Sequence, residues 1–265
     1  MTAVLTPVLA RTRSQLAAAL AELDRPVRLV PTMGALHAGH AALLAAAGPG
    51  AVLSLFVNPL QFGPTEDLAR YPRTFAADVD LAADHRVAVI WAPDVAEMYP
   101  IGRPQITVHA GRLGDRYEGA ARPGHFDGML TVVAKLLHQV QPDVAYFGQK
   151  DAQQLQLIQA MVSDLDLPVL VREVPTVREA DGLALSSRNR YLSADQRRAA
   201  SAIPRALATG SVDAARRVLA AEPGLRVDYC DLVDSSTFEP TDGPHGRLVI
   251  AVYAGDTRLI DNALI

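Results

Sequence analysis

Cysteine is almost missing from this chain: Cys230 is the single one in 265 residues. No internal disulfide can form and no CxxC pair exists, which fits a reducing compartment. There is no HExxH, and the glycines never fall into GxGxxG, so neither a zinc-hydrolase helix nor that dinucleotide fingerprint is supported. No stretch approaches the ~20 uninterrupted apolar residues of a membrane-spanning helix, so no membrane partner is expected. An excess of positive charge is missing too. The net charge of −4 offers no general attraction for nucleic acid, although local basic clusters can still bind small anions. The opening Met1–Pro7 lacks the basic-then-apolar order of a secretory signal, which makes the cytoplasm the expected compartment. What is present is 49% hydrophobic and 20% charged, enough chain for a substantial core and for two domains.

Short apolar, β-branched runs alternate with helical patterns through the first two thirds. Residues 27–31, 51–57, 87–92, 144–147 and 169–174 read as buried strands; residues 14–23, 41–47, 75–84, 126–140 and 151–163 read as helices. This alternation predicts an α/β fold with a doubly wound, mostly parallel sheet covered on both faces, whose ligands gather at the carboxyl ends of the strands. After Pro175 the order changes. Residues 193–209 and 211–221 read as helical, with Pro204 breaking or kinking the first, and 225–233, 247–253 and 257–260 read as strands without intervening helices. A smaller α+β domain is therefore expected, giving domains at 1–176 and 177–265.

Three polar segments fall at strand ends. Met33-Gly34-Ala35-Leu36-His37-Ala38-Gly39-His40 follows the first strand and opens a helix, where unpaired backbone N–H groups and the helix dipole would favour an anion such as phosphate. His37 and His40 share a face at this spacing. The pair alone reads first as helix surface or packing, then as phosphate contact, then as part of a metal site, and the lack of other metal-ligand motifs weakens the last. Gln61, in Asn58–Gly63 after the second strand, has a donor and an acceptor suited to a substrate bearing hydroxyl and carboxylate groups; a structural amide pinning a loop is the alternative. Residues 58–73 carry three prolines and a glycine and read as a flap. Gly148-Gln149-Lys150-Asp151 follows the fourth strand, with Lys150 placed as a point charge for phosphate and Gln154 one turn further on the same face. Ser186, Ser187 and Arg188 offer two hydroxyls and a guanidinium to a polyphosphate, or form an ordinary capped loop.

PTMGALHAGH, FVNPLQFG, YPRT, GHFDGMLTVVAKL, FGQKDAQQL, VPTVREADGLALSSRNRYLS and TRLIDN resemble, in order and spacing from Pro31 to Asn262, the pantothenate synthetase (pantoate–β-alanine ligase) family of the nucleotidylyltransferase superfamily. The resemblance implies a Rossmann-like fold of the HxGH type. His37-Ala38-Gly39-His40 would be the HxGH motif, and Leu185-Ser186-Ser187-Arg188 the later KMSKS-like motif. It also implies ATP-dependent condensation of pantoate with β-alanine through a pantoyl adenylate, with Mg²⁺ on the polyphosphate and no dedicated protein metal site. Residues 33–40, 148–151, Val177 and 185–188 would bind ATP; His40, His37, Lys150 and Arg188 would act in catalysis. Gln61 would hold pantoate and β-alanine, Gln154 pantoate, and Tyr71 with the flap would shield the intermediate from water. A homodimer is implied, with residues 105–109 as a strand-like edge. Gln149 stands where the family commonly has an acid, and Leu185 where it commonly has methionine.

Overall fold

The computed structural model describes residues 6–63, 68, 71–243 and 245–265. Contacts divide the chain into one unit of Met1–Gly148 with Leu157–Val174 and a second of Gln149–Gln156 with Pro175–Ile265.

In the first unit β1 (Val8–Ala10), β2 (Arg28–Thr32), β3 (Val52–Leu55), β4 (Val89–Trp91), β5 (Val144–Gly148) and β6 (Leu170–Val174) form one sheet in the order β1-β4-β3-β2-β5-β6, with every pair parallel. Around it, in chain order, run α1 (Arg13–Ala21), α2 (Ala38–Ala47), α3 (Phe75–Asp84), α4 (Val95–Met98), α5 (Glu118–Ala121), α6 (His125–Val140) and α7 (Ala152–Asp164). The central strands β3 and β4 are apolar or buried on both faces, as a covered parallel sheet requires: all their residues are buried, whereas edge strand β6 exposes Leu170, Arg172 and Glu173. Ile90 packs with Val30, Leu53 and Leu55 beneath Leu43 and Leu44 of α2 and Ala82 of α3. The next residue, Trp91, points the other way and donates its Nε1–H to Gln139 of α6 at 3.1 Å. Helices therefore cover both faces, as the alternating pattern predicts.

The chain winds outward from the centre in two directions: β2 leads to β3 on one side, and β5 leads to β6 on the other. Between them lies the switch point. The β2–β5 ladder pairs only Arg28 with Val144 and Leu29 with Ala145, although the strands continue to Thr32 and Gly148. A crevice at carboxyl strand ends is where such sheets bind ligands.

In the second unit β7 (Leu225–Val233), β8 (Arg247–Ala254) and β9 (Thr257–Leu264) form an antiparallel sheet. Helices α8 (Ala194–Ala200), α9 (Ala202–Leu207) and α10 (Val212–Ala220) belong to the same unit. Ile203, Leu207 and Leu219 close its core with Cys230, Leu248, Ile250 and Val252. Burial pushes the Cys230 thiol up to about 11, which keeps it protonated and inert at neutral pH.

Three local readings are corrected. Strand β1 was not signalled, because two of its three residues are exposed and only Ala10 is buried. Residues 105–109 form no strand: the Val108 and Ala110 N–H groups donate instead to Thr131 Oγ1 and Asp127 Oδ1 of α6, at 3.0 and 2.8 Å. The helix over 193–209 is interrupted at Ser201 rather than at Pro204, which sits in the first turn of α9, where a missing N–H costs little.

Candidate active site

The turn after β2 is held from within. Gly34 takes φ +80°, a conformation that favours glycine, and a Cβ there would meet Asp78 Oδ2 at 3.0 Å. Asp78, buried in the first turn of α3, accepts from the Ala35 and Leu36 N–H groups at 3.0 and 2.8 Å and from Thr74 Oγ1 at 3.0 Å. Thr32 Oγ1 accepts from the Gly34 N–H at 3.2 Å. His37 and His40 cap α2 reciprocally: His37 Nδ1 accepts from the Gly39 N–H at 3.1 Å, and His40 Nδ1 from the His37 N–H at 3.2 Å. The expectation of unpaired backbone donors in this turn is thus overturned for Gly34, Ala35, Leu36, His37 and Gly39. What the caps establish instead is a defined tautomer. A ring that accepts at Nδ1 carries its proton at Nε2, so each imidazole is a neutral Nε2–H donor, and the two rings lie 4.1 Å apart.

After β3, Pro59–Gln61 forms a 3₁₀ turn capped by Asn58, which is fully buried. Asn58 Nδ2 donates to Gln61 Oε1 at 3.1 Å and to the Gly128 carbonyl at 3.0 Å, while Asn58 Oδ1 accepts from Tyr99 Oη at 2.8 Å. Burial drives the Tyr99 hydroxyl well above its ordinary value, so it remains a donor. His125 Nδ1 holds the Gln61 carbonyl at 2.8 Å. Only glycine fits at 128, since a Cβ would lie 2.2 Å from the Leu60 carbonyl oxygen. The structural reading of Gln61 holds for its Oε1, which Asn58 pins, and its amide nitrogen remains a donor. Tyr71 stacks edge-on against Phe62 at 5.8 Å. Residues 64–67, 69 and 70 of the expected flap lie outside the described residues.

The remaining site residues, apart from Gly148 at the end of β5, fall in the second unit. Gln149–Asp151 makes a 3₁₀ turn that runs into α7, where Gln153 is buried and Gln154 half-buried. Lys150 lines a small hollow together with Leu183, Ala184, Ser186, Arg188, Asn189, Arg258, Leu259 and Ile260. Three of these side chains are cationic and none is acidic. Among the described residues only Asp151 Oδ1 approaches the ammonium of Lys150, at a long 3.5 Å, whereas Arg258 is neutralised by Asp228 at 2.8 Å. Ser186 Oγ caps the 3₁₀ turn Ser187–Tyr191 by accepting from the Arg188 N–H at 3.2 Å. The preceding hairpin is closed by the Leu185 N–H bonding the Val177 carbonyl at 2.9 Å. Behind it, Arg197 holds Glu179 and Asp181 at 2.8 and 2.6 Å and keeps both carboxylates below their ordinary range.

Asp78, Tyr99, His125 and Asn262 were not singled out by the sequence reading. Asp78 carried one signal, a carboxylate in line with the apolar positions Leu81 and Ala82 on one face of α3. Among the described residues no group of three or more His, Cys, Asp or Glu is placed to hold a metal, and no helix is long and apolar enough to cross a membrane.

Residues 8–264 match the family model described as pantoate-beta-alanine ligase. A pantothenate synthetase from Leifsonia xyli subsp. xyli is 57% identical, with 90% of this chain and 88% of the relative covered. Among solved structures, a pantothenate synthetase of Thermus thermophilus superposes with a TM-score of 0.88 at 46% identity, covering 96% of this chain and 98% of that one. A pantoate-beta-alanine ligase from Francisella tularensis, solved in complex with beta-gamma ATP and beta-alanine, gives 0.84 at 32% identity, with 97% of each chain covered. The fold, the HxGH turn at the β2–β5 switch point and a match spanning nearly every residue agree: the chain belongs to the pantoate–β-alanine ligase family.

Proposed function

We propose that the ATP-dependent condensation of pantoate with β-alanine, the activity of this chain, runs in two steps through an acyl adenylate. A pantoate carboxylate oxygen attacks the α-phosphorus of ATP and pyrophosphate leaves. The β-alanine amine then attacks the acyl carbon, losing a proton, and AMP leaves with the bond pair. No protein nucleophile is needed; the enzyme aligns the reactants and stabilises charge on phosphate oxygens.

The residue assignment rests on the hollow of the second unit, which Lys150, Ser186 and Arg188 line and whose lining includes no acidic residue. Lys150 and Arg188 bind phosphate, with Ser186 and Ser187 adding hydroxyl donors. Gly148, Gln149, Asp151, Val177 and Leu185 contribute backbone and apolar contacts to the nucleotide. In the first unit, Met33–His40 binds ATP. With most backbone donors of that turn already engaged, the contacts come from the Nε2–H groups of His37 and His40. A neutral imidazole donates to a phosphate oxygen without the cost of burying a further charge. Gln61, preset by Asn58, donates its amide N–H to pantoate and lies beside β-alanine, and Gln154 holds pantoate. Tyr71 and its flap shield the mixed anhydride from water. The donor set is cationic, so it suits an ATP that brings Mg²⁺ on its own oxygens rather than a protein cage for the ion. The enzyme works in the cytoplasm as a homodimer; exposed apolar residues Val8 and Leu9 on edge strand β1, and Ile101 and Ile106, support such an association.

The test omits ATP, Mg²⁺, D-pantoate and β-alanine in turn while following pyrophosphate and AMP separately. Pyrophosphate should form with pantoate alone, and AMP should be released only when β-alanine is added. Lys150→Ala and His37→Ala should each lower pantoate-dependent pyrophosphate exchange by about 10²-fold. Wild-type exchange in both variants refutes the assignment.

A further inference from the structure

Only two lysines occur in the chain, Lys135 and Lys150, and the one that lines the hollow is held by its backbone from an unexpected direction. Asn262, in the last strand of the antiparallel sheet, donates both hydrogens of its side-chain amide to consecutive carbonyls, Gln149 O at 2.9 Å and Lys150 O at 3.0 Å. Its own orientation is fixed twice. Arg247, a diagonal neighbour on the adjacent strand, donates to Asn262 Oδ1 at 2.6 Å, and the Asn262 N–H donates to Asp261 Oδ1 at 2.8 Å. Asp261 is bound in turn by Arg178 through two contacts, at 2.7 and 3.1 Å, and Arg178 also holds the Gly182 carbonyl at 3.0 Å. Arg247, Asp261 and Asn262 are all at least nine-tenths buried.

This pairing has a geometric consequence. A 3₁₀ turn of three residues has few internal hydrogen bonds with which to fix its own orientation. Both carbonyls that flank the Lys150 Cα are tied to a single rigid amide, which removes the peptide rotations that would swing the side chain away from the hollow. The same Asp261 anchors Arg178, whose bridge partner Ala184 lines that hollow too. One strand end thus sets the position of the ammonium and of the wall it faces.

We propose that Asn262 is a positioning residue for Lys150: its amide sets the place of the ammonium in the phosphate hollow, with Arg247 and Asp261 fixing the amide. The inference rests on the phosphate-binding role of Lys150 given above. Asn262→Asp keeps the shape and replaces two donors by an acceptor facing two carbonyls. It should lower kcat for pyrophosphate exchange at least tenfold with a smaller change in the KM for pantoate. If Asn262 acts through Lys150, the double variant Asn262→Asp, Lys150→Ala should be no slower than Lys150→Ala alone; independent roles would multiply.

A readout apart from activity uses the lysine count. In protein carrying ¹³C- and ¹⁵N-labelled lysine, Asn262→Asp should move the Lys150 side-chain signal toward that of a free lysine and leave Lys135 in place. If Asn262→Asp does not fold, Asn262→Ser, which keeps one donor, and Arg247→Lys, which loosens the amide, serve in the same two assays. A wild-type Lys150 signal, or multiplicative losses in the double variant, overturns the proposal. Should Lys150→Ala itself keep full activity, the role of Lys150 falls and the inference with it. Should Lys150→Ala be impaired while Asn262→Asp turns over normally, the inference alone falls.

Discussion

Replacing Asp78 should damage the HxGH turn and the stability of the protein together, although Asp78 is 38 or more positions from either histidine in sequence. Its carboxylate is 3% exposed and receives the Ala35 and Leu36 N–H groups and the Thr74 hydroxyl. In Asp78→Ala two backbone donors lose their acceptor where little water reaches, at about 1–3 kcal/mol each, and a favourable charge disappears from the first turn of α3, worth about 0.3–1 kcal/mol. The sum is about 4 kcal/mol, a large share of the 5–15 kcal/mol typical of a folded protein. At roughly 2–4 °C per kcal/mol for a unit of this size, the melting temperature should fall by about 8–16 °C. Asp78→Asn keeps one oxygen but sets an NH₂ against one of the N–H groups, so about half of that fall is expected. Thr74→Val removes one hydroxyl donor and should cost about 1 kcal/mol. Circular dichroism melts give the first measurement, and amide exchange at Ala35 and Leu36 localises it: both should be protected in the wild type and exposed in Asp78→Ala. Protection retained in that variant, or a melting temperature within about 1 °C of wild type, would refute the reasoning.

Two further outcomes follow from neighbouring geometry. Gly128→Ala drives a methyl into the Leu60 carbonyl at 2.2 Å, which should displace the Gln61 turn and raise the KM for pantoate about tenfold or more while the KM for ATP stays near wild type; equal changes in both would sink the assignment of Gln61. Acid sensitivity of the second unit should depend on Arg197. Hydrogen bonds from Arg197 lower the carboxyls of Glu179 and Asp181 in the folded state, so their contribution is complete above the unfolded values near ~4 and is lost as pH falls through the lower folded values. Arg197→Gln should therefore shift the acid-unfolding midpoint to higher pH and lower the melting temperature more at pH 7 than at pH 3, where part of the contribution is already gone in the wild type; an unchanged midpoint counts against it.

The centre of the sheet was legible because strands such as β3 and β4 are buried on both faces and therefore read as unbroken apolar runs, and the five expected strands, β2 to β6, lie within about two residues of where the pattern puts them. Where burial and apolarity part company, reading fails. Strand β1 is short and mostly exposed, so its pairing with β4 decides it rather than its composition. Strand β9 continues to Leu264, past the expected end at Ile260, because Asp261 and Asn262 are polar yet buried, and a pattern that equates polar with exposed stops there. The same blind spot hides the anchors of the site. His37, His40, Lys150 and Arg188 stand in dense local motifs, whereas Asp78 and Asn262 act on turns distant in sequence, and no spacing rule joins residue 78 to 35 or residue 262 to 150.

These anchors share a physical logic. Each site turn is tied by one buried side chain: Asp78 takes two backbone donors after β2, Asn58 bridges Gln61 and Gly128 after β3, and Asn262 gives two donors to the turn after β5. Polar groups of the turns that would otherwise compete for a ligand are thereby consumed. The groups assigned to the ligands are side-chain ends, namely the imidazole Nε2–H, the Gln61 amide and the Lys150 ammonium. All are donors. An anionic nucleotide and a carboxylate substrate present acceptors, which such donors complement. Because the donors are held before any ligand arrives, little reorganisation remains at the moment charge develops on phosphate, and this makes such groups effective in the transition state. On this view a change at an anchor should act on turnover more than on binding, since ligands can still reach a loosened donor but the α-phosphorus no longer meets it in place.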